Sequence, residues 1–359
     1  MKKMLALILA LVMSMSLVAC GGSDAAKETP ADDAATEDTA TEMPYYEWSL
    51  SCEYSAENHQ TKALEDAAKM IEEQTDGHIK ITVYPNMALG DYTVVYGQVM
   101  TGDIEIAACP ISSQYDPRVD VMTLPFLSGG FEDFETNYMS KDSYMWTLFE
   151  DITSAHGVKL LGFFNTGFMG LGAKKVDQEN FAYLTGTDAK TMLMRCPGGE
   201  AYAQTMAAMN YPTTTIPYSD LYSALQSGLC DGWLGGSPLV NYDSFRDAIN
   251  YFIDCNVINE SIPVMMNAAA FNSLPEEYQA IVTNVFDEMQ VRVNTERQEQ
   301  EAQALADMEA YGITVISPTE DEQVALRDRV RAEVWPAMAD SLGQDVIDEI
   351  CEIYGVELS

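Results

Sequence analysis

The chain has 359 residues, 47% of them hydrophobic, and carries a formal net charge of -37. That length accommodates two domains or one large two-lobed unit with a sizeable core. So much negative charge excludes nucleic acid and anionic lipid as partners, since both would be repelled, while saying little about a small ligand.

The chain opens MKKMLALILALVMSMSLVACGG, in which Lys2 and Lys3 precede a short apolar run that closes at Leu17-Val18-Ala19-Cys20. The run is too short for a membrane span and has small residues at its end, so residues 1–19 read as an export signal. The LVAC tetrapeptide followed by Gly21 and Gly22 resembles the bacterial lipobox, which implies cleavage before Cys20 and lipid on its sulfur. An incidental cysteine in a freely secreted protein is the competing reading. Residues 20–44 are mostly Ala, Thr, Asp and Glu, with one Lys and no aromatic residue, which predicts a disordered acidic tether.

Folded pattern begins at Tyr45. Residues 57–74 place Ala63, Leu64, Ala67, Ala68 and Ile71 on one helical face, and Asp76-Gly77 supplies a stop. HIKITVYP alternates Ile79, Ile81 and Val83 with polar residues, which predicts a strand. A second helix runs from about Tyr92 to Met100 and closes at Thr101-Gly102, and IEIAAC follows as a strand. VKLLGFF, TMLMRC and PVMMNAAAF are further strand candidates, with GEAYAQTMAAM and SDLYSALQ helical. In SDLYSALQSGLCDGW, Ser219 reads as a helix cap, Leu221, Ala224 and Leu225 share a face, and Gly228 suits a left-handed closing position. Trp233 then follows a turn instead of lying in an apolar run; a core tryptophan under a loop is the plain reading. From Pro275 to Gly312 no breaker interrupts a helix that would extend roughly 50 Å, long enough to brace two lobes, unless an unrecognised break falls near Asn294. Alternating strands and helices predict an α/β fold with a mostly parallel sheet.

Besides Cys20 the cysteines are Cys52, Cys109, Cys196, Cys230, Cys255 and Cys351, in no metal-like spacing. An exported chain permits disulfides, yet their places at the ends of apolar runs favour buried free thiols. His59, His78 and His156 lie in no arrangement that suggests a metal site or the base for a nucleophile, and no catalytic residue is assigned. No cofactor motif is found: GLGAKK lacks the Walker pattern and LGGSPL lacks the second glycine of a nucleophile elbow.

DGHIKITVYPNMALG, QVMTGDIEIA, the LPF at Leu124–Phe126, DAKTMLMR, IPYSDLYSALQSGLCDGW and LPEEYQ, in this order and spacing, resemble the solute-binding proteins of tripartite ATP-independent periplasmic (TRAP) transporters. The likeness spans Tyr45 to about Gly312. It implies a two-lobed fold like the type II periplasmic-binding proteins, with crossing strands and the long helix linking the lobes. Residues 45–172 with 261–300 would form lobe I, and 173–260 with 301–359 lobe II. It further implies a monomer that closes over a small organic acid and delivers it to a permease of one small and one large membrane subunit.

Arg195 matches the family's ligand-gripping arginine, and Asp188 stands where the family's aspartate does. Its own chemistry agrees, because a guanidinium at the end of an apolar strand sits where α/β sheets bind ligands and can hold a carboxylate by two parallel hydrogen bonds. Pairing with a carboxylate at the lobe edge is the alternative. The turn after SDLYSALQSG supplies pocket residues in relatives, which makes Trp233 a flat apolar wall or a lid. Here the sequence departs from the family: its Glu and Asn become Leu234 and Gly235, and an arginine is replaced by Met169. The pocket is thereby more apolar, pointing to a carboxylate with an apolar or aromatic body. Glu53, Tyr54, Ser112, Ser113, Phe168 and Tyr218 complete the candidates, Glu53 as a contact for an amine. A sensor module for a membrane receptor and a secreted hydrolase using carboxylates are the alternative functions.

Overall fold

The computed structural model describes residues 43–357. The export signal, Cys20 and the tether up to residue 42 lie outside the described residues.

In chain order the elements are β1 (Tyr46–Cys52), α1 (His59–Gln74), β2 (Ile79–Tyr84), α2 (Tyr92–Thr101), β3 (Ile106–Ala108), α3 (Phe131–Phe134), α4 (Tyr144–Ala155) and β4 (Val158–Ala173). There follow α5 (Phe181–Thr185), β5 (Met194–Cys196), α6 (Glu200–Ala208), β6 (Thr213–Thr215), α7 (Tyr218–Ser227), β7 (Gly232–Leu234) and α8 (Pro238–Phe245). The chain ends with β8 (Tyr251–Asn267), α9 (Ala268–Asn272), α10 (Glu276–Tyr311), β9 (Thr314–Ile316), α11 (Glu320–Ala337), α12 (Ala339–Leu342) and α13 (Gln344–Tyr354).

Local chemistry sets most of these boundaries. The Asn58 side chain accepts from the Gln60 N–H and opens α1, whose buried stripe is the one expected. Gly102 and Gly228 close α2 and α7 in the left-handed region that a Cβ disfavours. Ser219, however, is not a cap: α7 begins at Tyr218 after Pro217, which places Ser219 inside the first turn. The strand expected to run through PVMMNAAAF stops at Asn267, whose side chain accepts from the Ala270 N–H and starts α9; three alanines then favour helix.

The strands form one sheet in the order β2-β1-β3-β8-β4-β7-β5-β6, with β9 beside β8. It is mixed, not mostly parallel. β1, β2 and β3 are parallel, as are β5, β6 and β7, but the long strands β4 and β8 run antiparallel to each other. β3 joins this ribbon at Val264–Met266, while β7 joins at Leu171–Ala173, opposite Tyr251–Ile253. The two parallel groups therefore hang from opposite ends of the ribbon. Midway, among the described residues, no third strand pairs with it.

Side-chain amides occupy that place instead. Gln290 Oε1 accepts from the Phe163 N–H and Gln60 Nε2 donates to the Asn165 carbonyl, while within the ribbon Asn259 Nδ2 of β8 donates to the Gly167 carbonyl. Asn165 Nδ2 reaches Asn294 Oδ1 at 2.8 Å. Gln290 and Asn294 both come from α10, a single unbroken helix of 36 residues, about 54 Å long at 1.5 Å per residue. It packs on α1, crosses the ribbon, and ends against α8, where Glu301 accepts from the Leu239 N–H. Its apolar half is buried through Val282, Val285, Phe286 and Met289.

The main core runs continuously from the α2–α4 region through β4 and β8 to α11 and α13. α11 touches both ends of the molecule: Arg329 donates to the Ala208 carbonyl at the end of α6, and Trp335 Nε1 donates to the Pro125 carbonyl. All six cysteines among the described residues are free and buried. No helix among those residues is long and apolar enough to cross a membrane.

Candidate functional site

Between the two groups of strands lies a cleft of about 930 Å³. Its floor is the middle of the ribbon, with Thr166 and Met169 from β4 and Glu260 from β8; α10 adds Arg297 and Gln300. Strand ends and helix starts close the two sides.

Arg195 is the central residue of β5, flanked by Thr214 of β6 and Trp233 of β7. It is 5% exposed, and its Nε donates to the Ile216 carbonyl at 2.9 Å. Among the described residues no carboxylate lies within 4.0 Å of it, and neither Nη donates to a protein acceptor. Burial lowers its proton affinity, but a guanidinium keeps its charge. Backbone thus fixes one edge of the fork while the other is left to the cleft.

Trp233 is a wall, not a lid. It is 2% exposed, its Nε1 donates to Asn241 Oδ1 at 3.0 Å, and its ring packs against Phe245 at 4.8 Å between centroids. Asn241 in turn donates to the carbonyls of Gly235, Gly236 and Ser237, which ties the turn to the ring. Gly235 has φ +144°, and a Cβ there would meet Trp233 Cζ3 at 2.5 Å, so the indole lies where another side chain would stand. Met169 lines the same cleft, and Tyr218 stands half out of it with its ring 6.1 Å from Trp233.

Tyr54 lines the opposite side beside Glu53. Glu53 itself is set off the cleft wall; burial, with Asp91 nearby, pushes its carboxyl up to about 7. Besides Glu53, three expected residues, Phe168, Ser112 and Ser113, do not line the cleft. Phe168 neighbours Met169 on β4 and so faces the other side of the sheet; there it packs edge-on against Phe131 and borders a separate cavity of about 210 Å³ with Asp254 and Glu301. Ser112 sits in a local turn, its Oγ accepting from the Gln114 N–H, and Ser113 is exposed beside it.

The cleft also contains residues that sequence reasoning missed. Glu260 is opposite Gly167 in the ribbon, has no hydrogen-bond partner among the described residues, and has its carboxyl pushed up to about 7. Burial is the main cause, helped by Glu301 and Glu53 and opposed by Arg297. Arg297 is 3% exposed at its side chain and pairs with Glu301 at 3.4 Å. His59 and Gln60 enter from the start of α1, and burial followed by Arg297 lowers the His59 pKa. Tyr202 of α6 adds a fourth aromatic wall. The position of α1's first turn after β1 was a usable signal, since helix starts at strand ends commonly face ligands. Glu260 and Arg297 gave none, being one acid in an unrecognised strand and one cation among the charges of α10.

Chemically, among the described residues, this chamber joins the unpaired Arg195, the half-buried Glu260 and several aromatic faces, with an exposed Asp243 at its edge. No group of three or more metal-ligating side chains occurs among the described residues.

Residues 50–341 match the family model described as bacterial extracellular solute-binding protein, family 7. Three solved TRAP periplasmic solute-binding proteins share the fold. One from Ochrobactrum anthropi, with its C-terminus bound in the ligand pocket, superposes at TM-score 0.76 with 20% identity, covering 88% of this chain and 97% of that one. One from Desulfovibrio salexigens with bound orotic acid gives 0.69 and 22%, covering 86% and 99%. One from Chromohalobacter salexigens with bound d-glucuronate gives 0.71 and 18%, covering 85% and 99%. With a family model spanning most of its length, the chain belongs to the bacterial extracellular solute-binding proteins of family 7, which are receptors for solutes and not enzymes, and it shares its fold with the solved TRAP proteins.

Proposed function

We propose that this protein is a lipid-anchored receptor that captures a small carboxylate with an apolar or aromatic body and hands it to a TRAP permease of two membrane subunits. The anchor would be Cys20. Residues 45–172 with 261–300 would close on 173–260 with 301–359, expelling water from the cleft and holding the ligand between them. The observation that carries the reading is Arg195: a buried guanidinium in the cleft wall with no acid to neutralise it. Trp233, Met169 and Leu239 beside it supply apolar surface. Arg195, Trp233, Tyr54, Met169, Tyr218 and the open face at Gly235 would contact the ligand, with Glu53 acting through Tyr54.

Calorimetry with a panel of aryl and branched monocarboxylates, set against polyhydroxylated sugar acids, tests this. Arg195→Ala should weaken the best carboxylate by about 2–5 kcal/mol, roughly 30-fold to several thousand-fold, and leave the melting temperature of the ligand-free protein little changed. Unaltered affinity in that variant would remove the arginine from the site. Tight binding of sugar acids alone would remove the apolar ligand.

A further inference from the structure

We propose that the ligand is amphoteric: its carboxylate pairs with Arg195, and a cationic nitrogen on the same molecule is held by Glu260 amid the rings of Tyr54, Tyr202 and Tyr218. This rests on the carboxylate reading above and narrows it.

The starting observation is that Glu260 lines the cleft without a hydrogen bond among the described residues. Glu260 is half-buried, and a carboxylate taken partly out of water gains from any donor or cation placed beside it. The cation nearest to hand, Arg297, pairs through Nη1 with Glu301, whose second oxygen is taken by the Leu239 N–H, and its Nε is left without a partner among the described residues. Among the described residues no cation lies within 4.0 Å of Glu260, so its cleft-facing side is open to water or to a ligand's cation.

A plain anionic ligand would be a poor guest in such a chamber. It would gain from Arg195 and be repelled by Glu260, and Tyr202 and Tyr218 lie close enough to both side chains to feel their opposite charges. A second charge of opposite sign on the ligand turns that repulsion into attraction. The aromatic faces favour the same group, since ring quadrupoles attract cations. Three of the four aromatic side chains on the wall, Tyr54, Tyr202 and Tyr218, are in electrostatic reach of Glu260.

The groups around Glu260 also give the pairing a pH signature. Facing it are Glu301 and Arg297 from α10, Glu53 and Tyr54 after β1, Tyr202 from α6 and Tyr218 from α7; His59 faces Arg297. Glu260 ionises only near neutrality, its carboxyl pushed up to about 7, chiefly by burial. A cationic nitrogen needs it ionised, so affinity for an amino acid should rise between about pH 6 and 8 and then level off. Affinity for the same acid without its nitrogen should fall over that interval, as the newly charged Glu260 repels it.

The test uses matched pairs on one skeleton: 4-(aminomethyl)benzoate with 4-methylbenzoate, and 5-aminopentanoate with pentanoate, measured by calorimetry at pH 6 and 8. The N-trimethyl forms are an added arm that separates a primary from a quaternary nitrogen. The expected result is roughly 10-fold or tighter binding of a nitrogen-bearing member at pH 8. Glu260→Gln should abolish that preference and improve binding of the nitrogen-free partner, a gain that misfolding cannot mimic. Nitrogen-free acids that bind as well in the wild type, lose affinity in Arg195→Ala, and do not respond to Glu260→Gln would overturn the amphoteric ligand and keep the carboxylate. Binding of simple amines undiminished in Arg195→Ala would overturn both.

Discussion

The side chains that shape the cleft do so through close tolerances. Gly235 lies under the Trp233 ring with φ +144°, so Gly235→Ala meets both a steric and a conformational penalty. Stability should drop by about 1–3 kcal/mol, and carboxylate affinity should fall with it because the indole is displaced. Chemical denaturation and calorimetry on the same preparation would check this, and a variant with native stability and affinity would show that the ring can move without consequence. Arg195 was readable from sequence because an arginine closing an apolar strand ahead of Pro197-Gly198-Gly199 is a local pattern. Phe168 and Met169 were not separable, since which of two neighbours faces the cleft depends on a strand register that only the partner strand fixes. Glu260 was hidden because its stretch of β8 was not recognised as a strand.

Among the elements, α10 was legible and the ribbon was not. A helix without a breaker between Pro275 and Gly312 announces itself, whereas β4 contains four glycines, poor strand formers, and is buried on both faces, so it shows no alternation. What joins helix to ribbon is polar. Asn294 accepts from Asn165 and donates to Glu135 Oε1 and the Phe131 carbonyl. Asn294→Ala leaves the Asn165 amide buried without its acceptor and should cost about 1–3 kcal/mol. In urea denaturation that is a lower midpoint at unchanged slope; no shift would mean that these contacts add nothing net.

At the scale of the whole molecule the buried acids set how stability responds to pH. Burial pushes Asp254 up to about 6, and pushes Glu53 and Glu260 up to about 7. A carboxyl raised on folding stabilises the native state while it stays protonated there, and that contribution is lost as pH climbs from the unfolded value through the folded one. The His59 shift runs the opposite way, costing stability as pH falls, but it is a single group, and burial raises Asp120 and Glu301 as well. Rising net negative charge acts with the acids. The melting temperature of the ligand-free protein should therefore fall between about pH 5 and 7.5 at constant ionic strength, and Glu260→Gln should flatten the slope. A melting temperature that climbs steadily across this window would contradict the assignment. The α/β class and the linking helix could be seen in the sequence, while the mixed sheet could not, because antiparallel pairing of distant segments leaves no short-range mark.

The amides that stand in for a third strand midway along the ribbon have a mechanical consequence. A backbone ladder yields only by unzipping, one bond forcing the next, but Gln60 and Gln290 can each let go, swing about their own torsions and find another backbone partner. The waist of the protein is thus compliant where its two ends are stiff, and a guest tugging on both sides is felt there first.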